Sequence, residues 1–307
     1  MARFTLRQLE YFRAIALTGS ISAAAAQELV SRSAMASALG ELEKALDVEL
    51  VIRRKAQGIT LTEAGQEVLD LATDLLQQAE ELAGSVHQGR LSGTLAVGCF
   101  SSIAPTFLPV MMDTFGREHP DVHFRTYAES EDLLLKRLRT GEIDVAVSYN
   151  LHDDPTLESV ELYRTRMHVI LAANDPLAAA QVVPAGELVS KRLILLDTPP
   201  SPQYVIGYFK DQGLSPRMGE MFASFELIRS MVARGMGYSL FIQEPAGGLS
   251  YEGIPVASRP LDPLPRVERV SIGWPAGRRL STKVRAFVLA AKSAAHTYRP
   301  PDLYEQL

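Results

Sequence analysis

The first 29 residues predict two short helices. Apolar residues fall three apart along the first of them, at Leu6, Leu9, Phe12 and Ile15. Gly19 follows, and glycine is a residue type that commonly ends a helix. A second helix then begins after a serine N-cap, either Ser20 or Ser22. The pattern therefore indicates two helices joined by a tight turn.

Residues 30–46, "VSRSAMASALGELEKAL", predict a third helix with an unusual outer face. Ser31 or Ser33 is its N-cap, and its buried stripe consists of Met35, Leu39, Leu42 and Leu46. The other face begins with one arginine and small residues, namely Arg32, Ser33, Ala36, Ser37 and Gly40. Such a face suits close approach to base edges in a DNA major groove, and it equally suits packing against another helix.

A basic hairpin follows in residues 48–62, "VELVIRRKAQGITLT". The pattern predicts two short strands around a turn at Gln57-Gly58, with Arg53, Arg54 and Lys55 on the first arm. Three short helices followed by a basic hairpin form the plan of a winged helix-turn-helix domain over residues 1–61.

Three segments in this order resemble LysR-type transcriptional regulators: "LRQLEYFRAIALTGSISAAA", "VSRSAMASALGELEKAL" and "ITLTEAGQEVL". The resemblance is close over about the first 70 residues and covers the whole chain in outline. It implies that the third helix reads double-stranded DNA and that the wing contacts the DNA backbone. We expect base contacts from Arg32, Ser33 and Ser37 and phosphate contacts from Arg53, Arg54 and Lys55.

The sequence departs from the family pattern at two places. Leu29 directly precedes Val30-Ser31, where the family usually has one residue between the leucine and the valine-serine pair. Either the second helix is shifted by one residue, or Glu28 takes the place of a buried leucine. Ser37 and Ala38 stand where the family often has arginine or glutamine, so we expect fewer base contacts from the middle of the third helix.

Residues 62–89 predict one long acidic helix that begins at the N-cap Thr62 and stops near Gly89. Apolar residues form a coiled-coil-like seam at Val68, Leu71, Leu75, Ala79, Leu82 and Val86. Residues 63–88 hold six acidic and no basic residues, which excludes a DNA-binding arm. The seam predicts pairing with a second copy of the chain, in a homodimer or homotetramer. The alternative is a helix that lies on its own domain. The resemblance implies a linker helix that forms the dimer.

Strand and helix patterns alternate through residues 90–307, which predicts an α/β fold with parallel sheets covered on both faces. The resemblance implies an effector-binding domain of two subdomains, similar to a periplasmic binding protein. We place its crossovers near Tyr163 and Pro265-Arg266. Subdomain I then comprises residues 90–162 and 267–307, and subdomain II comprises residues 163–266. The ending "TYRPPDLYEQL" is expected to have little structure of its own.

Ligands of open α/β sheets bind beyond the carboxyl ends of the strands, where this chain places hydroxyls, amides and aromatic rings. The candidates for effector binding are Ser101, Ser102, Ser130, Tyr149, Asn150, Thr198, Pro199, Ser224 and Phe225. Hydroxyls and N–H groups at a helix start suit a carboxylate, so we expect a small organic acid. For each serine the alternative is a plain N-cap. Ser101 and Ser102 are preferred because the family usually has an effector contact there.

Composition and charge mainly exclude classes of protein. Net charge is −5, yet residues 1–62 hold eight basic and six acidic residues, so the predicted DNA-binding part is mildly basic. The single cysteine, Cys99, excludes an intrachain disulfide and favours a reducing compartment. The sequence shows no signal peptide and no run of ~18 apolar residues, so we expect a cytoplasmic protein without membrane contact.

Enzyme signatures are missing from the sequence. The six histidines form no metal-ligand pattern, and no nucleophile elbow or phosphate-binding glycine motif is present. We therefore expect a regulator without cofactor or catalysis, with RNA polymerase as a further partner. The alternatives are an α/β small-molecule-binding protein or enzyme with an accessory helical domain, and a purely structural dimer module.

Overall fold

The computed structural model describes residues 3–54, 58–85, 90–245, 247–301 and 303–305, without the side chains of residues 54, 77, 80, 81 and 83–85. Its helices are α1 Leu6–Thr18, α2 Ile21–Gln27, α3 Arg32–Leu46, α4 Glu63–Ser85, α5 Ala104–Glu118, α6 Glu131–Arg139, α7 Ala185–Leu188, α8 Ser201–Lys210, α9 Phe225–Ala233, α10 Thr282–Ser293 and α11 Ala295–Tyr298. Its strands are β1 Val51–Arg54, β2 Gly58–Leu61, β3 Gly93–Phe100, β4 Val122–Glu129, β5 Val145–Tyr149, β6 Leu157–Arg166, β7 His168–Ala172, β8 Val183–Pro184, β9 Arg192–Leu196, β10 Arg217–Phe222, β11 Ser239–Phe241, β12 Val256–Arg259, β13 Leu261–Asp262 and β14 Val267–Pro275.

Local sequence signals explain the three helices of the N-terminal unit, residues 3–61. Ser20 caps α2 and Ser31 caps α3, which decides between the paired alternatives. α1 ends at Gly19, whose φ of 64° places it in the left-handed region that glycine adopts without strain. The predicted apolar stripes meet in one core around Phe12, Ile15, Met35, Leu39 and Leu42.

The predicted wing is an antiparallel hairpin in which Val51 lies opposite Leu61. The backbone N–H of Ile59 donates to the carbonyl oxygen of Gly19 at 2.8 Å, which fixes the hairpin against the end of α1. A Cβ at Gly58 would lie 2.9 Å from the same oxygen, so glycine permits this close approach. Three helices and a docked hairpin confirm the winged helix-turn-helix plan.

The turn between α2 and α3 resolves the departure at Glu28 and Leu29. Leu29 has a positive φ of 55° and its side chain is 92% exposed. Glu28 caps α2, and its carboxylate lies 3.7 Å from the Arg7 guanidinium of α1. The next residue, Val30, packs against the core. Glu28 is therefore half-buried against α1, whereas Leu29 faces solvent.

Helix α4 carries two apolar stripes. Leu69, Ala72 and Leu76 are buried against the N-terminal unit, whereas Leu71, Leu75 and Leu82 are 70%, 40% and 73% exposed. The predicted seam is wrong at Val68, which packs beside the core. One stripe of α4 therefore lies on its own domain, and the other faces outward.

The start of α4 is fixed by close backbone contact. The Thr62 hydroxyl accepts from the Gly65 N–H at 2.8 Å, as expected of the predicted N-cap. A Cβ at Gly65 would lie 2.0 Å from the carbonyl oxygen of Leu50, so α4 approaches the chain before the wing as only glycine allows. Further along, the carboxylate of Asp74 lies 3.4 Å from the Arg278 guanidinium of the C-terminal unit, residues 90–305.

The first subdomain contains a five-stranded sheet in the order β4-β3-β5-β14-β6. β3 is parallel to β4 and β5, whereas β14 is antiparallel to both β5 and β6. The prediction of wholly parallel sheets is therefore wrong. Its physical reason is that β14 enters this sheet from the other subdomain and not by a helical crossover from a neighbouring strand. Helices α5 and α10 meet on one face around Phe107, Phe115 and Phe287.

The second subdomain has an antiparallel sheet in the order β11-β7-β12 and a parallel pair, β9 and β10. A single bridge between Leu193 and Tyr238 links the two sheets. Its core includes Val169, Leu171 and Phe209. This sheet arrangement is also mixed and not wholly parallel.

The chain crosses between the subdomains after β6 and before β14. The sequence predicts the first crossover near Tyr163, but β6 continues to Arg166, and Tyr163 pairs with Val270 inside the first sheet. The crossover lies at Met167, because the pairing with β14 keeps the strand in the first subdomain until then. The return lies between β13 and β14, where Pro265 and Arg266 were expected.

Candidate DNA-binding surface and effector cleft

The start of α3 is an open polar surface. Arg32 and Ser33 are exposed in its first turn. The Ser31 hydroxyl accepts from the Ala34 N–H at 3.1 Å and lies 3.0 Å from the Ser33 hydroxyl. Within the described residues Arg32 has no ion pair, so its guanidinium is available to a ligand outside the chain.

Further along α3, Ser37 is exposed but already has a partner. Its hydroxyl donates to the Glu41 carboxylate at 3.2 Å, and the Gln8 amide donates to the same carboxylate at 3.0 Å. A base contact from Ser37 would have to replace this bond. Gly40 leaves the helix surface beside Ser37 and Glu41 open, because a Cβ at Gly40 would meet nothing within 4 Å.

The wing places Arg53 on β1 with its side chain exposed, at the residue paired with Ile59. The Arg54 backbone pairs with Gly58, and its side chain lies outside the described set. Lys55 and Gln57 also lie outside the described residues. The described part of the wing thus offers one exposed arginine, Arg53.

A cavity of about 30 Å³ lies between the two subdomains. Its lining consists of Ser102, Tyr149, Met167, Leu196, Ser201, Tyr204, Val205, Phe225, Leu240, Phe241 and Ile242. Three predicted effector residues are therefore brought together here, Ser102, Tyr149 and Phe225. The walls are mostly apolar, and no lining residue carries a full charge at neutral pH.

Buried hydroxyls connect this cavity to the crossover. The Ser102 hydroxyl lies 3.0 Å from that of Tyr149, and the Gln243 amide donates to the Tyr163 hydroxyl at 2.8 Å. Tyr149 also receives a hydrogen bond from Gln243. Burial raises the pKa of Tyr149 well above its usual range, so its hydroxyl stays neutral and can donate to a ligand.

Ser101 and Ser130 lie beside the cleft but outside the cavity lining. The Ser101 hydroxyl is buried and has no hydrogen-bond partner among the described residues. Ser130 precedes α6, and its hydroxyl donates to the Asp132 carboxylate. A buried polar group without a partner is unfavourable, which marks Ser101 as a place for a ligand or water.

Asn150 bonds mainly to the start of β14, beside the cavity lining. Its side-chain oxygen accepts from the Arg269 N–H at 3.0 Å, and its amide nitrogen donates to Glu268. With both groups satisfied at a φ of 51°, it joins β5 to β14. Asn150 is not among the residues that line the cavity, but its side chain hydrogen-bonds Tyr204, which does line it. Its role in effector binding stays a prediction.

The remaining candidates lie in the second subdomain, outside the cavity lining. Thr198 is buried after β9, and the exposed Pro199 accepts from the Glu131 N–H across the cleft at 3.4 Å. Ser224 is the N-cap of α9, and its hydroxyl accepts from the Leu227 N–H at 3.3 Å. Ser224 therefore follows the N-cap alternative.

Sequence reasoning missed most of the apolar wall. Phe241 stacks on Phe225 with ring centroids 4.1 Å apart, and Leu240 and Met167 complete that side. Tyr204 comes from α8, a helix that the sequence pattern did not indicate. The available signal was the apolar ends of β9 and β11, which read as ordinary core residues.

Other candidate chemistry receives no support. Burial raises the pKa of the Cys99 thiol, which leaves it protonated and unreactive. Within the described ranges, no cluster of three or more potential metal ligands occurs. No helix in the part of the chain described here is long and apolar enough to cross a membrane.

A winged helix-turn-helix unit, a long helix and a two-subdomain α/β unit with a cleft define a ligand-responsive DNA-binding protein. Family models agree along both parts of the chain. The model described as "Bacterial regulatory helix-turn-helix protein, lysR family" matches residues 6–66, and "LysR substrate binding domain" matches residues 88–295. The chain belongs to the LysR family. It is a DNA-binding transcriptional regulator with an effector-binding domain.

Individual relatives match along most of the chain. It is 26% identical to the uncharacterized HTH-type transcriptional regulator YvbU of Bacillus subtilis, over 94% of this chain and 98% of that protein. The crystal structure of HinK, a LysR family transcriptional regulator from Pseudomonas aeruginosa, is 28% identical, with a TM-score of 0.62 over 95% of this chain and 99% of HinK. The C-terminal domain of a probable LysR family regulator from Rhodococcus is 33% identical, with a TM-score of 0.63 over 66% of this chain and 99% of that domain.

Proposed function

We propose that α3 enters the major groove of double-stranded DNA and that Arg32, Ser33 and Ser37 contact base edges. Arg32 and Ser33 are exposed at the helix start, where free N–H groups also favour phosphate. Arg53, Arg54 and Lys55 of the wing neutralise phosphates and set orientation without reading sequence.

The effector in this proposal is a small organic acid bound between the subdomains. The observation that carries it is the cavity lined by the Ser102 and Tyr149 hydroxyls. At about 30 Å³ the cavity is small for an organic acid. An acid therefore enters only when the subdomains separate, so binding selects a more open arrangement.

Hydrogen bonds hold the carboxylate in this proposal. The lining offers no cation, but the buried Ser101 hydroxyl lacks a described partner and the Ser102 hydroxyl lies on the cavity wall. Both precede α5, whose N-terminal dipole favours negative charge. The apolar walls around Phe225 and Phe241 then suit an aromatic or aliphatic body.

The assembly in this proposal is a homodimer or homotetramer formed through the exposed stripe of α4, Leu71, Leu75 and Leu82. Such an assembly presents two copies of α3 to adjacent half-sites of DNA. We further propose that the protein acts in the cytoplasm, contacts RNA polymerase and catalyses no reaction.

A thermal-shift screen of aliphatic and aromatic carboxylic acids against the full chain tests the effector site. Acids that stabilise the wild type should not stabilise the double variant S101A/S102A, while DNA affinity without acid stays near wild type. Equal stabilisation of both proteins would refute this site. DNA fragments retained from the source genome supply the DNA for the affinity measurement.

The assembly is tested separately by light scattering. Leu75→Glu places a charge in the outward stripe and should yield monomers, with DNA affinity lost. Leu289→Glu is the matched control, because Leu289 is 67% exposed on α10, away from this stripe. An unchanged mass for the Leu75 variant would show that the assembly forms elsewhere.

A further inference from the structure

We propose that a strap, residues 299–301 and 303–305, ties the two crossovers together and stabilises the closed arrangement of the subdomains. This inference rests on the proposed function only in assigning cleft opening to effector binding. The strap follows α11 and has no regular secondary structure in the described residues. Its contacts are nonetheless specific.

The Tyr304 hydroxyl bonds to the first crossover and to the strand that leads into the second. It donates to the carbonyl oxygen of Met167 at 2.6 Å and accepts from the N–H of Leu261 at 3.0 Å. Met167 is the residue between β6 and β7, and Leu261 lies on β13, just before the return to β14. One side chain thus connects the outgoing and returning chains.

Arg166 reinforces this connection from the first crossover. Its guanidinium donates to the carbonyl oxygen of Pro265 at 2.9 Å and lies 5.9 Å from the centre of the Tyr304 ring. The latter distance permits a cation–π attraction. The crossovers and the strap therefore form one connected set of contacts.

The strap also covers polar groups of the second subdomain. Pro300, Pro301, Leu303 and Tyr304 close a cavity of about 10 Å³ against Thr165, Arg166, His168, Ile242 and Glu244. Two atoms there, Nε2 of His168 and Oε2 of Glu244, are buried without a hydrogen-bond partner among the described residues.

The link to the cleft is Met167. Met167 lines the cavity between the subdomains, and its carbonyl oxygen accepts the bond from Tyr304. Subdomain separation changes backbone angles at the crossover residues, and the Tyr304 bonds to Met167 and to Leu261, just before the second crossover, oppose that change. Loss of the Tyr304 hydroxyl should therefore raise the population of the open arrangement.

The experiment compares Tyr304→Phe with Tyr251→Phe in the full chain, without effector or DNA. Tyr251 is 89% exposed, so it is the matched control for hydroxyl loss. Spin labels at Lys136→Cys on α6 and Lys210→Cys on α8 report the separation of the subdomains. The buried Cys99 is not labelled under native conditions, and dilution into unlabelled protein isolates distances within one chain.

Amide exchange at Leu261 supplies the local readout, because the Tyr304 hydroxyl is its acceptor. For Tyr304→Phe we expect this exchange to rise about tenfold and the open fraction to rise about fivefold, as for the loss of one or two hydrogen bonds. Tyr251→Phe should change neither.

Faster exchange at Leu261 with unchanged distances between the spin labels would show that the Tyr304 contact exists but does not hold the subdomains closed, which overturns the proposal. Unchanged exchange would overturn the contact itself. Neither readout needs an effector, so failure of the effector proposal remains distinguishable.

Discussion

Both α3 and α5 begin beside two nearby serines, yet the two sets lie in opposite surroundings. Ser31 and Ser33 are exposed at the start of α3, whereas Ser102 is buried and the Ser101 hydroxyl is enclosed at the start of α5. Serines suit a helix start in either place, so the local signal is the same. Enclosure by the second subdomain suits one site to the proposed effector, and its absence leaves the other as the proposed surface for DNA.

The same contrast extends to the cores. Among the described residues, Thr73 of α4 is the one buried polar or charged side chain outside the C-terminal unit. The N-terminal unit therefore presents a finished binding surface on an apolar core. The C-terminal unit keeps hydroxyls, amides and ionisable groups inside, where their pairing depends on how the subdomains meet.

The largest expected effect is a loss of stability of the C-terminal unit at low pH, caused by the buried His168. Burial lowers the pKa of His168 to about 4, whereas an unfolded histidine titrates near ~6.5. The unfolded chain thus binds a proton in this window and the folded chain does not. The contribution of His168 to the free energy of unfolding is fully present above pH ~6.5. The free energy of unfolding then falls by up to ~3 kcal/mol as the pH approaches ~4.

Urea unfolding followed by Trp274 fluorescence measures this loss, because the chain's single tryptophan lies in the C-terminal unit. His168→Gln should flatten the dependence between pH 4.5 and 6.5. His123→Gln, at an exposed residue of β4, is the matched control. If the free energy of unfolding of the His168 variant depends on pH as steeply as that of the wild type, His168 does not cause the acid sensitivity of the C-terminal unit.

The next effect tests whether the α3 surface reads sequence. Arg32→Ala should weaken binding by ~1–3 kcal/mol and relax the preference at one base pair. Arg53→Ala on the wing should weaken binding to all sequences and lower the salt slope by about one. Affinities for retained genomic fragments and their point variants measure both. Equal losses on every sequence for the two variants would contradict the division of roles.

A direct comparison of the two sites follows from a pair of serine substitutions. Ser102→Ala should destabilise folding by ~1 kcal/mol, because the buried Tyr149 hydroxyl loses a partner. Ser33→Ala should change folding by less than ~0.5 kcal/mol, because its hydroxyl is exposed. Calorimetric unfolding of both variants checks the difference, and similar losses would show that enclosure does not separate the sites.

The smallest effect concerns the turn before α3. Leu29→Asn should stabilise the N-terminal unit by ~0.5–1 kcal/mol, since asparagine tolerates a positive φ and Leu29 buries little surface. Leu29→Ala keeps the unfavourable backbone and should change little. Thermal unfolding distinguishes them, and equal stabilities would mean that the backbone at Leu29 is not strained.

The N-terminal unit was largely predictable because its signals are local. Helical spacing, the caps Ser20, Ser31 and Thr62, and the stop at Gly19 each act within a few residues. The half-buried position of Glu28 was left open, since its carboxylate pairs with Arg7 of another helix.

The C-terminal unit was less predictable because its pairings are distant in sequence. The antiparallel place of β14 depends on β6, about a hundred residues earlier, and no local pattern specifies it. β10 is mostly exposed and contains two methionines, so it lacks a strand pattern. The cleft walls were missed for a related reason: Leu240 and Phe241 resemble core residues until the subdomains are assembled.

The position of β14 also determines the order in which the two subdomains can fold during translation. β6 has no strand partner but β14 among the described strands, so the first sheet stays incomplete until Val267–Pro275 has emerged. The second subdomain is one continuous stretch and can fold during that interval. We therefore expect the nascent chain to hold an exposed edge at β5, open to chaperones or to mispairing, while the later segment matures.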